Sequence, residues 1–209
     1  MFIKLRKATA ALLVITLFCM LVPVQAETAD TSALFGTISG DTYENSFIGI
    51  GCRLDGWHYY SDEEIEQTNQ IAKEKVSEEL HDLLNQNITV MAAETADSLQ
   101  NVNIQIRNVK DYVSVYNQYG LQFIAESSLD QFKSSLEATG MSDIQLSTGS
   151  LNIGGEDFAY IGGQYVLSGV PLYFRQMWVL RGDFLAYITA TSILTDNSDT
   201  IFSYFYLLQ

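Results

Sequence analysis

The carboxyl-terminal half of the chain consists of strand-length segments separated by glycine turns. Between residues 144 and 193 there are four stretches rich in β-branched and aromatic residues. The breaks between them are Gly154-Gly155, Gly162-Gly163 or Gly169, and Arg181-Gly182-Asp183. Glycines of this kind mark turns between strands. We therefore predict a four-stranded antiparallel meander.

Short strands and one helix are predicted upstream of the meander. Between residues 36 and 60, β-branched and aromatic residues are interrupted by Gly40-Asp41 and Asp55-Gly56, which indicates two hairpin-like elements. Ser61-Asp62-Glu63-Glu64 is a capping box. Apolar residues then recur at helical spacing, which predicts a helix over 62–84.

The remaining elements alternate between strands and helices. Residues 88–93 and 102–109 have strand patterns, and in the second of these Asn103 and Gln105 alternate outward from an apolar face. A helix begins at Ser128 and ends at Gly140, and Asp196 caps a final helix. This order predicts an α+β protein with an antiparallel sheet flanked by helices on both faces.

The amino terminus has the features of a signal peptide. A basic start is followed by an apolar run and the small-residue ending Val24-Gln25-Ala26. We expect a signal peptide at 1–26, a tether at 27–35 and a single domain at 36–209. Cleavage before Glu27 would release a secreted protein. If the segment stays uncleaved, it anchors the domain at the extracytoplasmic face of the membrane.

Charge and cysteine content limit the partners and the source. The net charge of -14 makes nucleic acid a poor partner, because phosphate binding depends on lysine and arginine. Only Cys52 remains after signal cleavage, so the mature domain can form no internal disulfide. A disulfide-free exported chain fits a Gram-positive bacterium best.

Three short motifs resemble PsbP-like domains. They are Tyr43-Glu44-Asn45, Leu54-Asp55-Gly56-Trp57 and Ser61-Asp62-Glu63-Glu64-Ile65. The strand at 184–192 and the final helix are similar to the carboxyl end of that family. The resemblance implies an α/β/α sandwich that serves as a non-catalytic binding or assembly module.

Catalytic chemistry has little support in the sequence. A nucleophile needs a base within reach, and the mature chain has only His58 and His81. A Cys52/His58 pair across the Asp55-Gly56 turn is the alternative that would make the protein a small extracytoplasmic enzyme. The first hypothesis has no catalytic residue and no cofactor.

Metal binding has one open alternative. One mature cysteine and two separated histidines do not provide the ligand pairs of a zinc site. The 25 carboxylates could instead supply oxygen ligands to calcium, which makes a calcium-stabilised surface domain a further alternative. Asp196-Asn197-Ser198-Asp199 does not match an EF-hand and is better explained as a helix cap.

Tyrosines form the remaining candidate site. Tyrosine is enriched at interfaces because its ring supplies apolar area and its hydroxyl a polar tip. The candidate partner-binding residues are Tyr59, Tyr60, Tyr112, Tyr116 and Tyr119. We expect the partner to be a protein or a cell-envelope component, bound by an aromatic and acidic face.

Overall fold

The computed structural model describes residues 34–71, 76 and 86–208. The strands are β1 Thr37–Ser39, β2 Thr42–Asn45, β3 Ile50–Arg53, β4 His58–Tyr59, β5 Ile88–Glu94, β6 Gln100–Asn108, β7 Ser142–Ile153, β8 Glu156–Leu167, β9 Val170–Arg181, β10 Phe184–Ile193 and β11 Phe205–Leu207. The helices are α1 Asp62–Asn69, α2 Val113–Tyr119, α3 Leu121–Ser127, α4 Leu129–Ala138 and α5 Ser198–Phe202, with a 3-10 turn at Lys110–Tyr112. The predicted signal peptide lies outside the described residues. No helix in the described part of the chain is long and apolar enough to cross a membrane.

A seven-stranded antiparallel sheet has the order β4-β5-β6-β10-β9-β8-β7. Its last four strands in sequence, β7 to β10, pair successively as hairpins, which confirms the predicted meander. Strand β10 then returns to pair with β6 over nine residue pairs. The turn glycines Gly154, Gly155, Gly169 and Gly182 all have positive φ, the conformation that glycine adopts most readily.

The capping box is confirmed at the start of α1. The Ser61 hydroxyl accepts from the Glu64 N–H, and the Glu64 carboxylate accepts from the Ser61 N–H at 2.8 Å. The second of these bonds lowers the pKa of Glu64. The helix ends at Asn69, because Gln70 adopts a left-handed φ of 57°. Within the rest of the predicted 62–84 helix, residues 72–75 and 77–84 lie outside the described part of the chain.

A second, four-stranded antiparallel sheet has the order β1-β2-β3-β11. Strand β11 joins it by pairing with β3, Phe205 opposite Cys52. The predicted final helix is therefore wrong in its second half. The helical part is the short α5, and the chain becomes extended three residues later. The apolar spacing at 201, 202 and 205 reflects burial in both elements.

Two hydrophobic clusters lie on opposite faces of the seven-stranded sheet. Along β10, Ala186 and Ile188 belong to the first cluster, whereas Leu185 and Tyr187 belong to the second. Because alternate side chains of a strand point to opposite faces, each cluster covers one face. The second cluster includes Phe132 of α4.

The first cluster corrects the predicted fold class. It contains core residues of the four-stranded sheet, together with Ile65 of α1 and Ile201 of α5. Leu34 and Phe35, which the sequence assigned to the tether, are also buried in this cluster. The expected α/β/α sandwich with helices on both faces is wrong. The described residues instead form two mainly antiparallel sheets, and the helices α2 to α4 contact only the second cluster.

Candidate binding surface

Helices α2 and α3 form a bent pair over the end of the seven-stranded sheet. Gly120 separates them with φ 78° and ψ 150°, a conformation that a residue with a side chain rarely adopts. Helix α3 lies against β7 and β8, the strands at the end of that sheet.

The inner sides of the two helices attach them to the second cluster. Ala125 of α3 is fully buried, and the partly buried residues that pack beside it include Val113, Tyr116, Leu121 and Ile124. Anchoring from both helices holds the outer side in a defined position. The outer side therefore presents a preformed surface.

That outer side carries an exposed apolar surface, here called the aromatic strip. It consists of Tyr112, Val115, Tyr119 and Phe123, which expose 48%, 39%, 53% and 51% of their surfaces. The rings of Tyr119 and Phe123 stack with centroids 5.4 Å apart. The three other large apolar side chains exposed in the described residues lie outside this segment, at 38, 194 and 204. Clustered exposed aromatic groups are typical of interaction surfaces, whereas single ones are ordinary.

The candidate tyrosines divide between the two faces of the large sheet. Tyr112 and Tyr119 are in the aromatic strip, and Tyr116 between them points toward the second cluster. Tyr59 and Tyr60 instead pack against the first cluster. The structure therefore does not bring all five residues together.

The contacts of Tyr59 are with the protein's own core and backbone. Its hydroxyl donates to the Asp41 carbonyl at 3.1 Å, and partial burial raises its pKa. These contacts connect β4 of the large sheet to the β1–β2 turn of the small one. Tyr59 therefore ties the two sheets together.

Val115 and Phe123 were not among the residues chosen from the sequence. Tyr112, Val115 and Tyr119 are three or four residues apart, as on one side of a helix, but Gly120 ends α2 before Phe123. Helical periodicity alone does not say whether such a side faces the core or solvent. Both alternatives were compatible with the pattern.

The Cys52/His58 pair is not formed. Cys52 is fully buried, with its Sγ 3.9 Å from the Tyr59 hydroxyl, and burial raises the pKa of its thiol to about 12. His58 is exposed and its Nε2 lies 3.7 Å from the Glu64 carboxylate. The expected hairpin across Asp55-Gly56 is wrong, since β3 and β4 belong to different sheets. Cys52 and His58, both within the described residues, are therefore not arranged as the nucleophile and base that the enzyme alternative requires.

The described carboxylates do not assemble a metal centre. Among residues 34–71, 76 and 86–208, no group of three or more His, Cys, Asp or Glu side chains is placed to hold a metal ion. Asp196 accepts hydrogen bonds from the backbone N–H and the hydroxyl of Ser198, the first residue of α5. It therefore forms an Asx turn before the helix, whose N-cap position is Asn197 rather than the predicted Asp196. The calcium alternative therefore gains no support from this segment.

Three of the arginines are already engaged with carboxylates. Arg53 pairs with Asp55, Arg175 pairs with Asp199, and Arg181 contacts both carboxylate oxygens of Glu156. The chain has 11 basic and 25 acidic side chains. Because acidic side chains outnumber basic ones by 14, most carboxylates have no basic side chain to neutralise them.

Comparisons with known proteins identify no family. No family model matches the sequence, and no curated protein matches it. The crystal structure of PA94, a protein of unknown function from Pseudomonas aeruginosa, is similar to part of the chain at 17% sequence identity with a TM-score of 0.30. The match covers 46% of this chain and 62% of PA94, so the chain spans less than two thirds of that protein.

Proposed function

We propose that this protein is an exported, non-enzymatic module that binds a basic protein of the cell envelope through the aromatic strip. The exposed, stacked pair Tyr119 and Phe123 on a pair of anchored helices carries the proposal. Aromatic anchors on a rigid element bind with little loss of conformational freedom. Export rests on the predicted signal peptide at 1–26.

A basic partner is favoured by charge. The chain carries a net charge of -14, and its field attracts cationic proteins and repels anionic ones. Aromatic faces also bind lysine and arginine side chains by cation–π contact. The segment of the strip carries Asp111 and Glu126 against a single lysine, Lys110, all exposed, so its own charge is also negative.

Site-specific crosslinking tests the proposal. A photoreactive phenylalanine analogue replaces Tyr119 in the full chain, and a matched chain carries it at Leu194, which is also exposed but lies outside the strip. After illumination in the native host, we expect one basic envelope protein to crosslink at position 119 and not at 194. Equal crosslinking at both positions, or an acidic product at 119, would contradict the proposal.

A pair of double variants provides the control for folding. Tyr119→Ser with Phe123→Ser should abolish capture of that partner, while lowering the free energy of unfolding by about 1–2 kcal/mol because the two half-exposed rings stack on each other. Ile38→Ser with Leu194→Ser removes a comparable exposed apolar surface elsewhere and should leave capture unchanged. Amino-terminal sequencing of this protein, recovered from the host, tests export: Glu27 is expected as its first residue.

A further inference from the structure

The two sheets have four edges, and one of them differs from the others. Strands β1 and β11 at the edges of the small sheet have three residues each, and β4 has two. Strand β7, at the fourth edge, has twelve residues. Among the described residues it pairs only with β8. Short edge strands are a common protection against unwanted pairing, so β7 is the one edge that lacks this protection.

Strand β7 also lacks the side chains that usually block an edge. It contains no lysine and no proline, and its single charged residue is Asp143. Asp143 has a φ of 51° and lies where the register with β8 shifts, between Ser142 and Gln145. The irregularity ends there, and residues 145–153 pair regularly with β8. Within the described part of the chain, the backbone groups of residues 145–153 that point away from β8 are therefore unpaired over about 30 Å.

Two carboxylates, one on α3 and one on β8, lie close to β7 on one face of the sheet. The Gln122 side-chain amide donates to Glu126 at 2.9 Å and to the Thr148 hydroxyl at 3.3 Å, which places Glu126 close to the middle of β7. The Asn152 amide donates to Asp157 at 2.7 Å. Thr148 and Asn152 are four residues apart, so they share a face and are separated by about 13 Å.

Gln122 has one further polar group at this position. Its Oε1 is buried and accepts no hydrogen bond within the described structure. Buried acceptors are normally satisfied, so Gln122 leaves one hydrogen-bonding position open between Glu126 and Thr148. The two carboxylates favour cationic side chains in a segment that lies against this face.

We propose that residues 145–153 of β7 accept an extended basic segment of the partner as an added strand. Basic side chains four residues apart in that segment contact Glu126 and Asp157, while its backbone pairs with the free edge of β7. The proposal rests on the proposed function for the partner's basic character. A second copy of this chain is disfavoured as the occupant, because two molecules of charge -14 repel each other.

Synthetic peptides test the spacing directly. The probe is a fluorescein-labelled nine-residue peptide of valine and threonine with lysines at its third and seventh positions. The control peptide has the same composition with lysines at the third and sixth positions, which places them on opposite faces of a strand. We expect fluorescence anisotropy to show micromolar binding of the probe to the full chain and at least fivefold weaker binding of the control.

Backbone pairing is tested with modified peptides and hydrogen exchange. Methylating alternate backbone nitrogens of the probe removes the donors on one side only, so one of the two methylated forms should lose binding and the other retain it. The unmodified probe should slow amide exchange within residues 145–153. Equal binding of the two lysine spacings, protection confined to other segments, or no binding at 1 mM peptide would overturn the proposal.

Charge variants locate the contacts. Glu126→Gln and Asp157→Asn should each weaken probe binding about threefold, as expected for exposed ion pairs. Asp183→Asn removes the same charge at the β9–β10 turn and should have no effect. Unchanged binding in both of the first two variants would exclude the assigned face of the sheet.

The same assay separates this proposal from the proposed function. The edge proposal expects the probe to bind the Tyr119→Ser, Phe123→Ser variant normally. Loss of binding in that variant, without protection of β7, would overturn the edge while leaving the aromatic strip as the binding site. Concentration-dependent dimers by sedimentation velocity, with β7 protected in the absence of peptide, would assign the edge to a second copy instead. Probe binding to β7 without any crosslinked partner at position 119 would leave the edge and reject the strip.

Discussion

The small sheet and the β7 end of the large sheet differ in how completely they are covered. In the small sheet, Tyr43, Ile50 and Cys52 are fully buried and the edge strands are three residues long. In β7, only Ile153 of twelve residues is buried. Helix α3, which packs against β7, carries Phe123 of the aromatic strip. The small sheet is therefore the more completely covered region, and the recognition that we propose uses the less covered one.

Substitution of Gly163 should disrupt the pairing of β7 with β8, in the less covered region. A Cβ at this position would lie 1.9 Å from the backbone oxygen of Gln145, so β7 must move away from β8. We expect Gly163→Ala to lower the free energy of unfolding by roughly 3 kcal/mol, as for overpacking against backbone. Urea denaturation measures the loss, and amide exchange should be fastest in β7.

Gly169→Ala is the matched control for that change. Gly169 also has a positive φ, of 82°, but an added Cβ would meet no atom within 4 Å. Only backbone strain applies, which costs about 1 kcal/mol. Equal losses of unfolding free energy in the two variants would show that the close approach of the Gln145 backbone to Gly163 adds no cost beyond backbone strain.

A change at Asn45 should break the covered end. Its amide donates to the Leu34 carbonyl and to the Tyr43 hydroxyl, both at 2.8 Å, and its Oδ1 accepts from the Ile48 N–H. Asn45→Ala leaves these buried groups without partners, and we expect a loss of about 2–3 kcal/mol in urea denaturation. Asn152→Ala removes two exposed hydrogen bonds, one donated to Asp157 and one accepted from the Gly155 N–H, and should cost about 1 kcal/mol or less. The contrast fails if the two variants are equally stable.

The pH dependence of stability sharpens the comparison with a smaller effect. Burial raises the pKa of Cys52 from 9.0 to about 12, so between these values the folded state holds a proton that the unfolded state has lost. The contribution of Cys52 to the free energy of unfolding is therefore fully present well below pH 9, and it is lost as the pH rises from about 9 to about 12. By linkage the loss is about 1.4 kcal/mol between pH 8 and pH 10.

Cys52→Ala provides the control for the titration. The variant lacks the thiol, so its stability should fall less between pH 8 and pH 10 than that of the natural chain. Denaturation midpoints at the two pH values measure the difference. Identical pH dependence in both proteins would show that burial in the first cluster does not raise the pKa of Cys52.

Local signals in the sequence predicted local structure well. The capping box at Ser61, the β7–β10 meander and the strands near 88–93 and 102–109 are all present. Each depends on residues close together in the chain, such as a glycine turn or a serine three residues before a glutamate. Such patterns need no contact with distant parts of the chain, which is why they can be recognised in the sequence.

Predictions that depended on distant pairing were less successful. Phe205 to Leu207 pair with β3 across about 150 residues of sequence, and the same apolar spacing was compatible with a helix. Asn103 and Gln105 were expected outward but are buried, with Gln105 donating to the Thr89 hydroxyl on the neighbouring strand. The tyrosines were chosen by residue type, and only the fold separated those on the aromatic strip from those on the first cluster.

The sequence by itself determined the strand and turn pattern, the acidic surface and the start of α1, because these follow from residue type and spacing. Only the tertiary structure decided that β3 and β4 enter different sheets, which separates Cys52 from His58. It also decided that β7 ends the large sheet and that Tyr119 and Phe123 face outward. Exposure and sheet order depend on which distant segments bury each other's apolar faces, and a single local pattern is compatible with several such arrangements.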